Sequence, residues 1–110
     1  MKAITVKENN INSPLEDCFG KTKYFCFVED DPKNIEFVLN PGNNILKHSG
    51  QKAVNYLQSK GVSSVLSKNF GMTVKKMLDK HNIQTIIVPS KYEKLSQLLK
   101  IIKPDNIINK

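Results

Sequence analysis

The sequence predicts an α/β chain with a mixed sheet of about five strands flanked by three helices. Two observations carry this. The front half holds two β-rich runs, Tyr24 to Val28 and Ile35 to Leu39, joined by Asp30-Asp31-Pro32-Lys33-Asn34, which is hairpin patterning. The back half alternates helical and extended periodicity: its helix exits, Gly61-Val62-Ser63-Ser64-Val65 and Asn82-Ile83-Gln84-Thr85-Ile86, repeat one junction along the chain. A hairpin makes antiparallel strands and a βαβ crossover makes parallel ones, so both kinds of pairing are expected in one sheet.

The elements follow in order. Ala3-Ile4-Thr5-Val6 is short, β-branched and bounded by polar residues, which marks the first strand. A long loop over residues 8 to 23 precedes the hairpin, and Asn40-Pro41-Gly42-Asn43-Asn44 follows it as a linker. Residues 50 to 60 read as a helix with Ala53, Val54 and Leu57 inward and Gly61 as its C-terminal stop. Val62 to Leu66 is the next strand. A second helix over residues 71 to 81 carries the stripe Val74, Met77, Leu78 and His81, and Ile83 to Val88 is the last strand. Ser90 and Glu93 form a capping box for a final helix whose apolar face is Leu95, Leu98, Leu99 and Ile102 and which Pro104 ends.

A chain of 110 residues with 39% hydrophobic content supports one core, so residues 1–110 are expected to form a single domain. The net charge is +7, and all 17 basic residues are lysines. Lysine supplies an attractive field for anions but lacks the planar fork with which arginine reads phosphates and guanine edges, so no specific nucleic acid is implied. The abundance of Lys, Asn and Ile also fits a simple compositional bias. No apolar run approaches the roughly 18 residues of a membrane span, and the N-terminus lacks a signal-peptide pattern, so a cytoplasmic location with no membrane partner is the expectation. Two cysteines are too few for a disulfide scaffold, which leaves Cys18 and Cys26 as thiols.

Ligands of such sheets gather where strand ends meet loops and helix starts. Three segments qualify: the loop carrying Cys18, the Lys47-His48-Ser49-Gly50 stretch, and Ser67-Lys68-Asn69-Phe70-Gly71-Met72. A thiolate is a soft ligand for iron-sulfur clusters, copper(I) or zinc, and neighbouring Lys21 and Lys23 favour that form of Cys18. His48, at a loop-to-helix junction, is a second candidate metal ligand. Gly50 and Gly71, at two helix starts, would let an anionic cluster or a phosphate approach backbone N–H groups. Phe19 is expected to bury its ring and direct the Cys18 thiol outward, with Gly20 supplying a turn that other residues disfavour. Cys26, between Phe25 and Phe27, reads as core filling, and His81 as a helix-end cation. Met72 offers a thioether, although a buried place in the first helical turn is the simpler expectation. The run Glu29-Asp30-Asp31 invites a metal-nuclease reading, but consecutive carboxylates diverge and Asp-Pro is ordinary turn chemistry.

Taken together, Ser13-Pro14-Leu15, Phe19-Gly20, Tyr24-Phe25, a glycine at the first helix start (Gly50) and Asn69-Phe70-Gly71 after a strand resemble the dinitrogenase iron-molybdenum cofactor biosynthesis family over about residues 2 to 90. The resemblance implies a ribonuclease H-like fold without nuclease activity and a role in carrying iron-sulfur or iron-molybdenum cluster precursors. In the family's carriers the residue before Phe-Gly is typically a histidine that holds the cofactor, and other members often have arginine. Here it is Cys18. Lys68 and Met72 also stand where the family often has glycine and proline, and His48-Ser49-Gly50-Gln51 replaces its usual run of glycine and alanine.

The resulting expectation is a non-catalytic carrier of an iron-sulfur or molybdenum-containing cluster, which purified protein need not retain, working with metallocofactor or cluster-assembly proteins. Its cofactor-binding residues would be Cys18, Phe19, Gly20, His48, Gly50, Asn69 and Gly71, with Cys18 and His48 on the metal. The alternatives are a protein-interaction module without cofactor and a metal-dependent nuclease of the ribonuclease H type.

Overall fold

The fold is given by a computed structural model that describes residues 1–29, 31, 33–43 and 49–102. Five strands, β1 (Lys2–Val6), β2 (Tyr24–Val28), β3 (Ile35–Leu39), β4 (Ser64–Ser67) and β5 (Gln84–Ile87), form one sheet in the order β3-β2-β1-β4-β5. β1 and β2 pair antiparallel, as do β2 and β3, whereas β1 with β4 and β4 with β5 are parallel. The hairpin half and the alternating half therefore meet along β1. The three helices are α1 (Ser49–Ser59), α2 (Met72–Lys80) and α3 (Leu95–Leu99), and a short 3₁₀ turn covers Phe19–Lys21.

Alternation along the strands splits the apolar residues between two layers. Ala3, Phe25, Phe27 and Val65 face α1 and α2, meeting Ala53, Val54, Leu57 and Leu78. Ile4, Val6, Cys26, Val28 and Leu66 face the other way, against Leu15, Val88 and α3's Leu95 and Leu98. β1 and β4 are covered on both sides, which is why their residues Ala3 to Val6 and Ser64 to Ser67 are all buried.

The repeated helix exit has one physical cause. Gly61 at φ +76° and Asn82 at φ +60° both take the left-handed conformation just past a helix end. The next amide then turns back: Val62 N–H donates to the Leu57 carbonyl at 3.2 Å, and Ile83 N–H to the Leu78 carbonyl at 2.9 Å. Each pair also joins two core residues, the hydrophobic contact that goes with this helix stop. Val62 and Ser63 are used in the exit, so β4 begins at Ser64 rather than at Val62. The last strand is likewise shorter than expected, Gln84–Ile87 instead of Ile83 to Val88.

The start of the last helix is also corrected. α3 begins at Leu95, and Ser90 and Glu93 do not cap it. Residues before it are held extended by the Ser13-Pro14-Leu15 segment: Leu15 N–H donates to the Glu93 carbonyl and Leu95 N–H to the Ser13 carbonyl, both at 2.9 Å. The capping work falls to Gln97, whose Oε1 accepts from the N–H groups of Glu93 at 2.7 Å and Lys94 at 2.9 Å. The Pro104 stop lies outside the described residues.

Candidate functional site

The site is built at the end of the sheet where β1 and β4 finish. The strap formed by Ser13-Pro14-Leu15 sets where the loop after β1 begins. The buried Ser13 hydroxyl accepts from Lys7 N–H at 3.2 Å and Glu8 N–H at 2.8 Å and donates to the Pro14 carbonyl at 2.8 Å. Glu16 N–H then donates to the Thr5 carbonyl at 3.1 Å, so the chain is fixed just before Asp17 and Cys18.

Cys18 itself is extended (φ −142°, ψ 134°) and precedes the 3₁₀ turn, its carbonyl accepting from Lys21 N–H at 3.1 Å. The residue is partly exposed. Phe19 is fully buried, as the sequence predicts, with its ring 5.7 Å from that of Phe25 and 6.0 Å from that of Phe70. Its N–H donates to the Asn69 carbonyl at 3.0 Å. The Cys18 loop and the Ser67-to-Met72 loop therefore converge.

The second loop is itself braced from below. Thr5 Oγ1 donates to Ser67 Oγ at 3.0 Å, and Ser67 Oγ donates to the Asn69 carbonyl at 3.2 Å, both hydroxyl-bearing residues being buried. Gly71 caps α2 with extended backbone (φ −66°, ψ 153°) and no side chain over the first turn, and a Cβ there would meet nothing within 4 Å. The start of α2 is thus open to a ligand, and its unpaired amides and dipole favour an anion. Lys21 and Lys23 are exposed, and Lys68 partly so, which adds positive field near these loops.

Three readings of single residues are corrected. Gly50 is not an open ligand cradle, because a Cβ there would lie 2.9 Å from Val74 Cγ2; the glycine lets α1 approach α2. Gly20 sits in the 3₁₀ turn without a left-handed φ and with nothing within 4 Å of a Cβ, so the turn does not demand glycine. Met72 is 75% exposed rather than buried. His48 and Lys47 lie outside the described residues.

The remaining candidates take structural places. Cys26 is 0% exposed within the α3-facing core, and burial pushes its thiol up to about 12. His81 ends α2, its N–H donating to the Met77 and Leu78 carbonyls at 3.2 and 3.1 Å. In the hairpin, Asp31 Oδ1 accepts from Lys33 N–H at 3.0 Å and the Asp31 carbonyl from Asn34 N–H at 2.8 Å, which is turn chemistry; Asp30 and Pro32 lie outside the described residues. Among the described residues no three His, Cys, Asp or Glu side chains gather as a metal site. Cys18 offers a single soft donor.

Besides the Thr5–Ser67 pair, sequence reasoning missed two further buried residues that hold the loops. Thr22 Oγ1 lies 3.1 Å from the Val6 carbonyl and 2.8 Å from that of Tyr24, within donating distance of both. Asn40 donates from Nδ2 to the Thr22 carbonyl at 2.9 Å. The one available signal was Asn40 ahead of Pro41-Gly42, a residue type that bonds its own following backbone. A separate groove of about 430 Å³ between Ile11, Ile35 and Leu99 lies on the α3 side and shares no residue with the Cys18 site.

Solved structures with the same fold include the apo form of the orange protein from Desulfovibrio gigas, at TM-score 0.78 and 18% identity over 90% of this chain and 82% of that one. A NifB-like protein of Thermotoga aligns at TM-score 0.72 and 24% identity over 90% and 82% of the two chains. A dinitrogenase-like protein of Methanocaldococcus jannaschii aligns at TM-score 0.62 and 17% identity over 90% and 86%. No curated protein matches the chain in sequence. Among the described residues no helix is long and apolar enough to cross a membrane. The model of one family, dinitrogenase iron-molybdenum cofactor, spans residues 1–103, and the chain belongs to that family.

Proposed function

We propose that this chain, as a single domain, is a non-catalytic carrier of an iron-sulfur or molybdenum-containing cluster, accessory to metallocofactor assembly in the cytoplasm. The observation that carries the reading is the bond that ties the residue after the partly exposed Cys18 to Asn69, in the loop that leads to Gly71 and the open start of α2. Cys18 would supply a soft thiolate to the metal, and the α2 amides near Gly71 would meet the cluster's negative charge. When bound, such a cluster supplies metal and sulfur for transfer. The chain's own part is to orient one thiolate and leave the other metal positions to the cargo or to a partner.

Membership of the family supports a place in cofactor assembly. The residues fit a carrier, because a single exposed ligand releases its cargo more readily than a closed protein cage does. Met72, 75% exposed at the first residue of α2, gives the same rim an apolar contact for a cluster-assembly protein. Neither a specific nucleic acid nor a membrane has a place in this reading.

Anaerobic reconstitution with iron and sulfide, or with molybdate and thiol, tests it. The carrier should gain thiolate-to-metal absorbance above roughly 300 nm. A chain that stays colourless under both conditions is not a cluster carrier.

A further inference from the structure

A line of hydrogen bonds crosses the sheet end from Asn40, the first residue after β3, to the loop after β4. Asn40, 3% exposed, donates from Nδ2 to the Thr22 carbonyl at 2.9 Å and from its backbone N–H to the Lys23 carbonyl at 2.8 Å. Thr22 N–H donates to the Phe19 carbonyl at 3.2 Å, closing the 3₁₀ turn that follows Cys18. Phe19 N–H donates to Asn69, and Asn69 is held by Ser67. The two ends of the Asn40 amide have separate tasks. Its Oδ1 accepts from Gly42 N–H at 2.8 Å and shapes the Pro41-Gly42 turn, while its Nδ2 reaches back to the Cys18 loop.

We propose that Asn40 is the positioning residue for Cys18. Its Nδ2 bond fixes the exit of the 3₁₀ turn, the turn fixes Phe19, and the direction in which the preceding thiol leaves the loop is thereby set. A buried amide with donor and acceptor both used holds one orientation, because turning it over would leave the Thr22 carbonyl and the Gly42 N–H unpaired. Supporting contacts of this kind are what set the aim of a metal ligand. The part of the inference that concerns metal rests on the reading of Cys18 as the ligand; the part that concerns the thiol does not.

The test compares the full chain with Asn40→Asp, Asn40→Ala, Leu98→Ala and Cys18→Ala. Asn40→Asp keeps an acceptor for Gly42 N–H and loses the donor to Thr22; Asn40→Ala loses both; Leu98→Ala weakens the core on the opposite face. Iodoacetamide labelling of Cys18 in the native apo protein, below each variant's melting temperature, should speed up several-fold in both Asn40 variants and stay at the wild-type rate in Leu98→Ala. Iron affinity after reconstitution with iron and sulfide should fall by about tenfold or more in both Asn40 variants. If Asn40→Ala does not fold, Asn40→Asp decides alone. Wild-type labelling and iron affinity in Asn40→Asp would leave Asn40 as a turn residue and overturn the proposal. If Cys18→Ala binds iron like wild type, the carrier reading has failed, and the labelling rates still decide the role of Asn40.

Discussion

The backbone N–H of Phe19 donates to the carbonyl of Asn69 at 3.0 Å, and the rings of Phe19 and of Phe70, the residue after Asn69, stack with centroids 6.0 Å apart. This one junction fastens the loop after β1, which carries Cys18, to the loop after β4, which leads into α2. Because the Phe19 ring is fully buried against Phe25 and Phe70, Phe19→Ala should cost about 3 kcal/mol or more, read by urea unfolding. Phe19→Leu should cost clearly less, since it refills most of the volume.

Two glycines should respond in opposite ways. Gly20→Ala meets open space at an ordinary φ and should leave stability within about 0.5 kcal/mol of wild type. Gly61→Ala forces a Cβ into φ +76° and should cost about 1 to 2 kcal/mol. Paired thermal melts check both, and a large loss at Gly20 would contradict the turn geometry.

Ser13→Ala removes an acceptor that serves the Lys7 and Glu8 N–H groups at once. Glu8 N–H would lose its partner, whereas Lys7 N–H keeps its 3.1 Å bond to the Pro14 carbonyl, and the change should cost about 1 kcal/mol. The loss should appear as faster hydrogen exchange at Glu8 and at Leu95, whose N–H donates to the Ser13 carbonyl.

Burial raises the Cys26 thiol from 9.0 to about 12, so the native state holds its proton where the unfolded chain releases it. The contribution is fully present below pH 9.0 and is lost as the pH rises toward 12. In that window the native state binds more protons, and stability should fall by up to about 1.4 kcal/mol per pH unit from this group alone. Urea unfolding of wild type and Cys26→Ala across the range isolates it: the mutant, about 1 kcal/mol less stable near neutrality, should lose less stability on the way up.

Much of the fold was legible because its signals are local. The hairpin residues and the repeated exits at Gly61 and Asn82 each specify their own geometry, and together they imply the mixed sheet. The start of α3 was not legible, because Ser13 and Leu15 hold residues 93 to 95 from far away in sequence and override the Ser90-Glu93 pattern. At the site, the partly exposed Cys18 and the buried Phe19 followed from alternation and ring size. The roles of Gly50, Asn40 and the Thr5–Ser67 pair did not. Each depends on what another element brings close: Val74 to Gly50, Thr22 to Asn40, and β4 to β1.

The most direct test of the carrier role is the metal content per chain of wild type, Cys18→Ala and Cys26→Ala, each purified anaerobically from the native host and measured in parallel. Cys18→Ala should change stability by no more than about 0.5 kcal/mol. The account predicts iron or molybdenum bound to wild type and to Cys26→Ala, and none retained by Cys18→Ala. Equal metal in wild type and Cys18→Ala, or none in any of the three, would contradict it.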